Sequence, residues 1–169
     1  MNSQAFIPAN INALKCELAG EVLRSSGTLR VRATGWSMLP TVWPGDTLVI
    51  ERIQQPGAVS EGDIAMFSNG RRFVAHRVVA KGNGSGASMV QTQGDAVPHP
   101  DSPITRGDLL GKVAFILRNG TCITPRKTLG FSERALAALF RRSEIVARLA
   151  VGVRRMRPSS KVQASQVQV

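Results

Sequence analysis

The sequence has no tyrosine, and its 169 residues include only two cysteines and two histidines. The cysteines, Cys16 and Cys122, are too few for a disulfide scaffold or a four-ligand zinc site. We therefore expect two reduced thiols, no metal and no other cofactor. Two tryptophans and six phenylalanines provide few rings on which bases can stack, so we predict no nucleic-acid partner.

The chain also lacks an uncharged apolar run of the roughly 18 residues that a membrane-spanning helix needs. Its first residues do not have the basic and then apolar layout of a secretory signal. With neither feature, the expected location is the cytoplasm or the periphery of a membrane. Hydrophobic residues still make up 43% of the chain, which is sufficient for a folded core.

Acidic residues are scarce, and their scarcity is uneven along the chain. There are 11 acidic side chains against 22 basic ones, which gives a formal net charge of +11. Residues 1–120 contain 12 basic and 9 acidic side chains, whereas residues 121–169 contain 10 basic and 2 acidic. This pattern indicates an ordinary domain followed by a basic attachment, of the kind that binds phosphate-bearing surfaces.

Hydrophobic spacing predicts a short N-terminal helix followed by an antiparallel, mainly β domain. Apolar residues recur at helical spacing from Ile11 to Val22, and the helix is expected to end near Gly27. Short β-rich runs separated by glycine, proline and aspartate turns then follow. These predicted strands are Leu29–Ala33, Thr47–Ile53, Ile64–Phe67, Arg72–Val79, Ser88–Thr92 and Lys112–Leu117. The strongest hairpin signal is Asn69-Gly70.

From Ser132 the helical period returns, and we predict a basic amphipathic helix of roughly 25 residues. Its expected apolar face is formed by Leu136, Leu139, Phe140, Val146, Leu149, Ala150 and Val153, and its arginine stripe by Arg134, Arg141, Arg148 and Arg155. This helix either covers the β domain with its arginines in water or lies on an anionic membrane surface. The excess charge favours membrane or partner docking.

These boundaries divide the chain into four predicted parts. Residues 1–27 form an N-terminal helical segment, and residues 28–123 form the β domain. Residues 124–158 form the basic amphipathic segment, and residues 159–169 form a polar, disordered tail.

One group of residues is a candidate for catalysis. Ser37 lies between a predicted strand and a proline-limited turn, where a hydroxyl can be presented on a rigid bend. A serine nucleophile needs a base, and His76 lies in a predicted strand on the same face as two valines. Asp95 and Asp101 both follow in a proline-rich loop, and either could orient the imidazole. The alternative interpretation is a turn serine and a core histidine.

Six short motifs, in order, resemble the type I signal peptidase family. They are Gly35-x-Ser37-Met38-x-Pro40-Thr41, Pro44-Gly45-Asp46, Glu61-Gly62-Asp63-Ile64, His76-Arg77-Val78-Val79, Gly94-Asp95 with Asp101, and Gly111-Lys112-Val113. The chain is most similar to the archaeal and endoplasmic-reticulum branch, in which histidine stands where bacterial enzymes have lysine. The resemblance extends from about Leu29 to Arg118.

The resemblance implies a coiled antiparallel β-domain that cleaves exported pre-proteins after small residues. It implies that Ser37 is the nucleophile and His76 the general base. Asp101 would complete the Ser-His-Asp set, and Asp95 would be the nearby acidic residue. The backbone N–H of Ser37 would serve as one oxyanion donor.

The sequence departs from this family in three respects. Many members have a serine that contributes a second oxyanion donor where this chain has Gly35. Trp36 replaces a usually small residue, and the usual membrane-spanning segment is absent.

Two other functions are compatible with the sequence. One is a self-cleaving regulator like the LexA-type repressors, with Ala19-Gly20 as a tolerable scissile pair. Those proteins use a lysine base, and no DNA-binding helix pair fits into the first 27 residues here. The other is a catalytically inactive binding protein that acts through its basic C-terminal part.

Overall fold

The computed structural model describes residues 11–54, 59–69, 72–84, 87–105, 108–142 and 152. Two helices and a curled antiparallel half-barrel sheet make up this part of the chain. The elements in chain order are α1 (Ile11–Ser26), β1 (Thr28–Arg32), β2 (Thr47–Arg52), β3 (Ile64–Ser68), β4 (Phe73–Gly84), β5 (Ala87–Gln93), β6 (Ile104–Thr105), β7 (Leu109–Arg118), β8 (Thr121–Ile123) and α2 (Phe131–Arg142).

The strands form one sheet in the order β1-β2-β7-β3-β4-β5-β6, with β8 paired to β7. All of these pairings are antiparallel. Register shifts occur between Val49 and Ile50 in β2 and between Val78 and Ala80 in β4. Such bulges bend and twist a strand locally, which helps a sheet to curl. The predicted antiparallel, mainly β fold is therefore confirmed.

Each of the six predicted strands coincides with an observed strand, although β4 continues to Gly84. The strands that the sequence pattern missed are β6 and β8, which have two and three residues. Runs this short carry no recognisable period. The predicted hairpin between β3 and β4 is present, with Ile64 opposite Arg77 and Ser68 opposite Phe73.

The helix predicted at the N-terminus is present as α1, but three of the apolar residues whose spacing predicts it are exposed. Leu14, Leu18 and Val22 are 56%, 57% and 47% exposed. The helix packs on the sheet through Leu23, which is 1% exposed and joins the main core. Buried Gly20 brings the same side of the helix close to Leu110 of β7. The side of α1 that is buried against β1, β2 and β7 is therefore the one with Gly20 and Leu23. The more apolar side, with Leu14, Leu18 and Val22, stays exposed.

The main core joins α1 and the serine-containing turn to the sheet. It includes buried residues from α1, the serine-containing turn and the central strands: Leu23, Met38, Val42, Leu48, Ile50, Ile64, Met66, Val113 and Ile116. A smaller cluster joins Leu39, Ala96 and Phe140, with Trp36 and Trp43 packed against it. The second cluster connects α2 to the loops that follow β1 and β5.

The observed part of the basic helix differs from its expected amphipathic face. In α2, Ala137 and Phe140 are buried, whereas Leu136 and Leu139 are 36% and 49% exposed. Phe140 is buried because it packs against Leu39 and Ala96. Apart from Gly152, which is helical, the predicted helix beyond Arg142 and the predicted tail at 159–169 lie outside the described residues.

Across the described ranges, neither helix combines the length and the apolar character needed to cross a bilayer.

Candidate active site

Ser37 lies at the beginning of a compact turn that follows β1. The turn is closed by backbone hydrogen bonds from Leu39 N–H to the Trp36 carbonyl (3.1 Å) and from Val42 N–H to the Met38 carbonyl (2.9 Å). The Leu39–Pro40 peptide bond is cis. Met38 and Leu39 are buried, which anchors the turn in both hydrophobic clusters. Ser37 itself stays half-buried at the edge of the core.

The far end of this turn is fixed to β7 by an ion pair. The Arg118 guanidinium contacts the buried Asp46 carboxylate at 2.7 Å and donates to the Thr41 carbonyl at 2.8 Å. Asp46 also accepts the Trp43 N–H at 2.8 Å. Because charge-assisted bonds are short and directional, they hold the turn rigidly against the sheet. The position of the Ser37 hydroxyl therefore depends on the sheet and not on a mobile loop.

His76 lies on β4, and its ring reaches the serine. Its Nε2 is 2.9 Å from the Ser37 Oγ. The histidine is 7% exposed, and its ring packs edge-on against Phe67 at a centroid distance of 6.3 Å. The two residues are 39 positions apart in the sequence, so the folded sheet creates this contact.

Asp101 completes the chain of hydrogen bonds on the other side of the imidazole. Its Oδ2 lies 2.6 Å from His76 Nδ1 and accepts the Thr92 hydroxyl at 2.7 Å. The Asp101 backbone N–H donates to the Thr92 carbonyl at 2.7 Å, which holds the loop against β5. An ionised carboxylate can only accept, so Nδ1 carries the proton. The Nε2 atom is then free to accept the proton of Ser37.

The electrostatics of Asp101 favour its ionised form. Burial raises the pKa of this carboxyl group, but hydrogen bonds from His76 and Thr92 and the charge of His76 together lower it by more. The pKa of Asp101 consequently lies below its ordinary value of 3.8. At neutral pH a negative charge therefore lies beside the imidazole, where it stabilises the imidazolium form.

Asp95, the other candidate acid, is bound to Arg77 instead of His76. Both of its oxygens accept from this guanidinium, each at 2.8 Å, and both side chains are buried. Asp95 also accepts the Thr41 hydroxyl, so it connects the serine turn to β4. The sequence left open which of the two carboxylates contacts His76. In the structure Asp101 contacts the histidine, and Asp95 forms an ion pair with Arg77.

The Nη1 group of Arg77 contacts the turn before β3 and the chain after β8. Its Nη1 donates to the carbonyls of Gly62 at 2.8 Å, Arg126 at 2.7 Å and Lys127 at 3.3 Å. The strand that carries His76 is thereby fastened to two surrounding segments. Arg77 acts structurally here, and its charge is compensated by Asp95.

Gly94 is the point of closest approach between the acidic loop and the catalytic pair. A Cβ atom at this position would lie 2.6 Å from the Ser37 carbonyl oxygen and 3.1 Å from His76 Nε2. No ordinary side chain fits without displacing one of them. The Ala96 N–H donates to the same Ser37 carbonyl at 2.8 Å, which further joins the loop to the serine.

Three other side chains of reactive types lie outside this arrangement. His99 is exposed in the loop before Asp101, Lys112 lies on β7 opposite Ala65 and Glu51, and Cys122 is a free, exposed thiol. Gly35 faces open space, with nothing within 4 Å of a Cβ placed there. Among the described residues, no group of three or more histidine, cysteine or acidic side chains could hold a metal ion.

Sequence reasoning missed three contributors to the site. Thr92 supports Asp101, Gly94 allows the close contact, and Arg141 of α2 donates to the Asp95 carbonyl at 2.8 Å. The Gly94-Asp95 pair was visible as a motif, but a glycine required by packing looks like any turn glycine. The contact from α2 depends on tertiary packing and has no local signal.

Comparison with known proteins adds no family to these observations. Neither a scan against protein-family models nor a search of curated proteins found a match to the chain.

Proposed function

We propose that the protein is a serine endopeptidase that resembles type I signal peptidases and cleaves leader or signal segments of protein substrates. The observation that carries the proposal is the continuous chain Ser37–His76–Asp101, with contacts of 2.9 Å and 2.6 Å. Such a chain is the arrangement that activates a serine hydroxyl for attack on a carbonyl carbon.

In the proposed reaction, His76 Nε2 takes the hydroxyl proton while Ser37 Oγ attacks the scissile carbonyl. The imidazolium that forms is stabilised by Asp101 and then gives its proton to the leaving amine. Water, activated by the same imidazole, releases the acyl group from Ser37. The backbone N–H of Ser37 is the proposed oxyanion donor, and such donors are typically worth about 3–4 kcal/mol each.

The structure around Ser37 bears on two of the three departures from the family pattern, at Gly35 and Trp36. Gly35 contributes no hydroxyl, so a second oxyanion donor must come from a backbone N–H or water. Trp36 is half-buried against the cluster of Leu39, Ala96 and Phe140, so its side chain is used in packing.

The self-cleaving alternative is less well supported by the fold. Its candidate scissile pair, Ala19-Gly20, lies within α1, and Gly20 is buried against the sheet. A helical, buried peptide bond must unwind before a serine can attack it. This placement favours a substrate that is a separate protein or peptide. In our proposal, the basic C-terminal part has an anionic membrane surface as a further partner.

The proposal is tested by incubating the full chain with leader peptides that carry small residues before a single cleavable bond. Mass spectrometry of the products gives the cut position. We expect cleavage by the wild-type protein and by Ser60→Ala, which changes an exposed turn serine, and none by Ser37→Ala or His76→Ala.

Cleavage that survives Ser37→Ala would reject the assigned nucleophile. A chain that shortens itself in the absence of peptide would instead support the self-cleaving alternative. A wild-type protein that cleaves neither itself nor any of the peptides would favour the inactive binding protein.

A further inference from the structure

A basic cavity is lined by residues of β4, the end of β5, the chain after β8 and α2. Its volume is roughly 340 Å³, near the lower limit of the about 300–1,000 Å³ typical of small-molecule pockets. Arg77 lines the cavity, whereas the neighbouring His76 contacts Ser37. Gly94 also lines the cavity and comes closest to Ser37 and His76, so the cavity lies next to the catalytic pair.

The charges around the cavity do not balance. Its charged lining residues are Arg77, Asp95, Lys127, Arg134 and Arg141. Arg77 and Asp95 neutralise each other through their paired 2.8 Å hydrogen bonds. Three cations therefore remain around one small space.

Nearby acidic groups compensate these cations only weakly. Asp63 lies 3.6 Å from the Lys127 ammonium group, whose side chain is 62% exposed, so water screens this pair strongly. The Glu133 Oε2 accepts the Gly130 N–H at 2.8 Å, and among the described residues Glu133 forms no ion pair with a lining cation. The cavity thus has an unmatched positive potential.

The two arginines of α2 are held in position to donate. Arg141 Nε donates to the Asp95 carbonyl at 2.8 Å, and Arg134 Nε donates to the Leu129 carbonyl at 3.0 Å. Within the described part of the chain, the terminal Nη groups of both arginines bind no other residue. Each guanidinium is fixed through one nitrogen and keeps its outer nitrogens for a ligand.

We propose that this cavity binds a phosphoryl group, carried either by a soluble phosphate ester or by a lipid headgroup. A phosphate monoester has about −1.5 to −2 charges at neutral pH and three acceptor oxygens, which suits two arginines with free Nη groups together with the weakly paired Lys127. A carboxylate has a single charge and would compensate less of the positive charge. Fixed guanidinium forks suit phosphate oxygens in particular.

The binding is tested by calorimetric titration of the full chain with inorganic phosphate at low ionic strength. The double variant Lys127→Gln/Arg134→Gln removes two lining charges. Its matched control, Arg126→Gln/Arg142→Gln, removes two charges from neighbouring positions that do not line the cavity. We expect saturable one-to-one binding that weakens by about tenfold or more in the first variant and stays near the wild-type value in the control.

Thermal unfolding of both double variants shows whether each retains the wild-type fold. An absence of saturable phosphate binding would overturn the proposal, and so would equal weakening in the two variants, which would indicate unspecific surface charge. Acetate or an acidic peptide binding as tightly as phosphate would also overturn it. Because no step requires peptide cleavage, the result is independent of the proposed peptidase activity.

Vesicles distinguish the two sources of the phosphoryl group. Phosphatidylcholine vesicles with and without phosphatidic acid are mixed with the wild-type protein and both double variants. Binding that needs phosphatidic acid, is lost in Lys127→Gln/Arg134→Gln and is displaced by phosphate supports a lipid headgroup. Phosphate binding without vesicle binding supports a soluble ester.

Discussion

Replacing Asp101 by asparagine should slow reaction at Ser37 by roughly three orders of magnitude, because it removes the charge that stabilises the imidazolium. The carboxylate lies 2.6 Å from His76 Nδ1, which places the charge centres about 4 Å apart. The two side chains are 9% and 28% exposed, so an effective dielectric constant of about 20 applies and the pair is worth about 4 kcal/mol. Each 1.4 kcal/mol, approximately, changes a rate tenfold.

The rate is measured as covalent modification of Ser37 by a fluorophosphonate, which reacts with activated serines and requires no known substrate. The full-length wild-type protein and Asp101→Asn are compared at neutral pH. Asp108→Asn serves as the control, because Asp108 is exposed and accepts hydrogen bonds from Thr105. If Asp101→Asn reacted at the wild-type rate, the carboxylate would have no role in activating His76.

Further predictions concern the supports of the site. Gly94→Ala would place a Cβ 2.6 Å from the Ser37 carbonyl oxygen, so the labelling rate should fall by roughly a hundredfold; an unchanged rate would contradict this tight contact. Arg77→Met leaves the Asp95 carboxylate buried and unpaired, and should lower the free energy of unfolding in urea by about 3–5 kcal/mol; a loss below about 1 kcal/mol would refute the role of the pair. Because folding lowers the pKa of Asp101, its contribution to stability is complete above its unfolded pKa of 3.8 and is lost as the pH falls through the folded pKa. Acid should therefore destabilise the wild-type protein more steeply than Asp101→Asn below about pH 4, and parallel stability curves would contradict this linkage.

The strands could be predicted because their signals are local. Alternating apolar residues and the turn at Asn69-Gly70 define β3, β4 and their hairpin without reference to the rest of the chain. The buried faces of the helices could not be predicted in the same way. Leu18 of α1 and Leu139 of α2 belong to the apolar stripes yet stay exposed. Leu23 packs into the main core instead, and Phe140 packs against loop residues.

The candidate site could be predicted as a set of residues but not as a network. Ser37 and His76 are conspicuous by type and by motif, and the structure brings them to 2.9 Å. The choice between Asp95 and Asp101 could not be made from spacing, because both lie in one loop. It depends on Arg77, which faces away from His76 and binds Asp95.

The central claim is that His76 activates the Ser37 hydroxyl, and peptide mapping after fluorophosphonate treatment tests it most directly. The full-length wild-type protein and His76→Gln are treated identically, digested and searched for the adduct. Our account predicts one adduct per chain, located on Ser37, and almost none in His76→Gln. Equal modification of Ser37 in both proteins, or an adduct on other serines in its place, would contradict the claim.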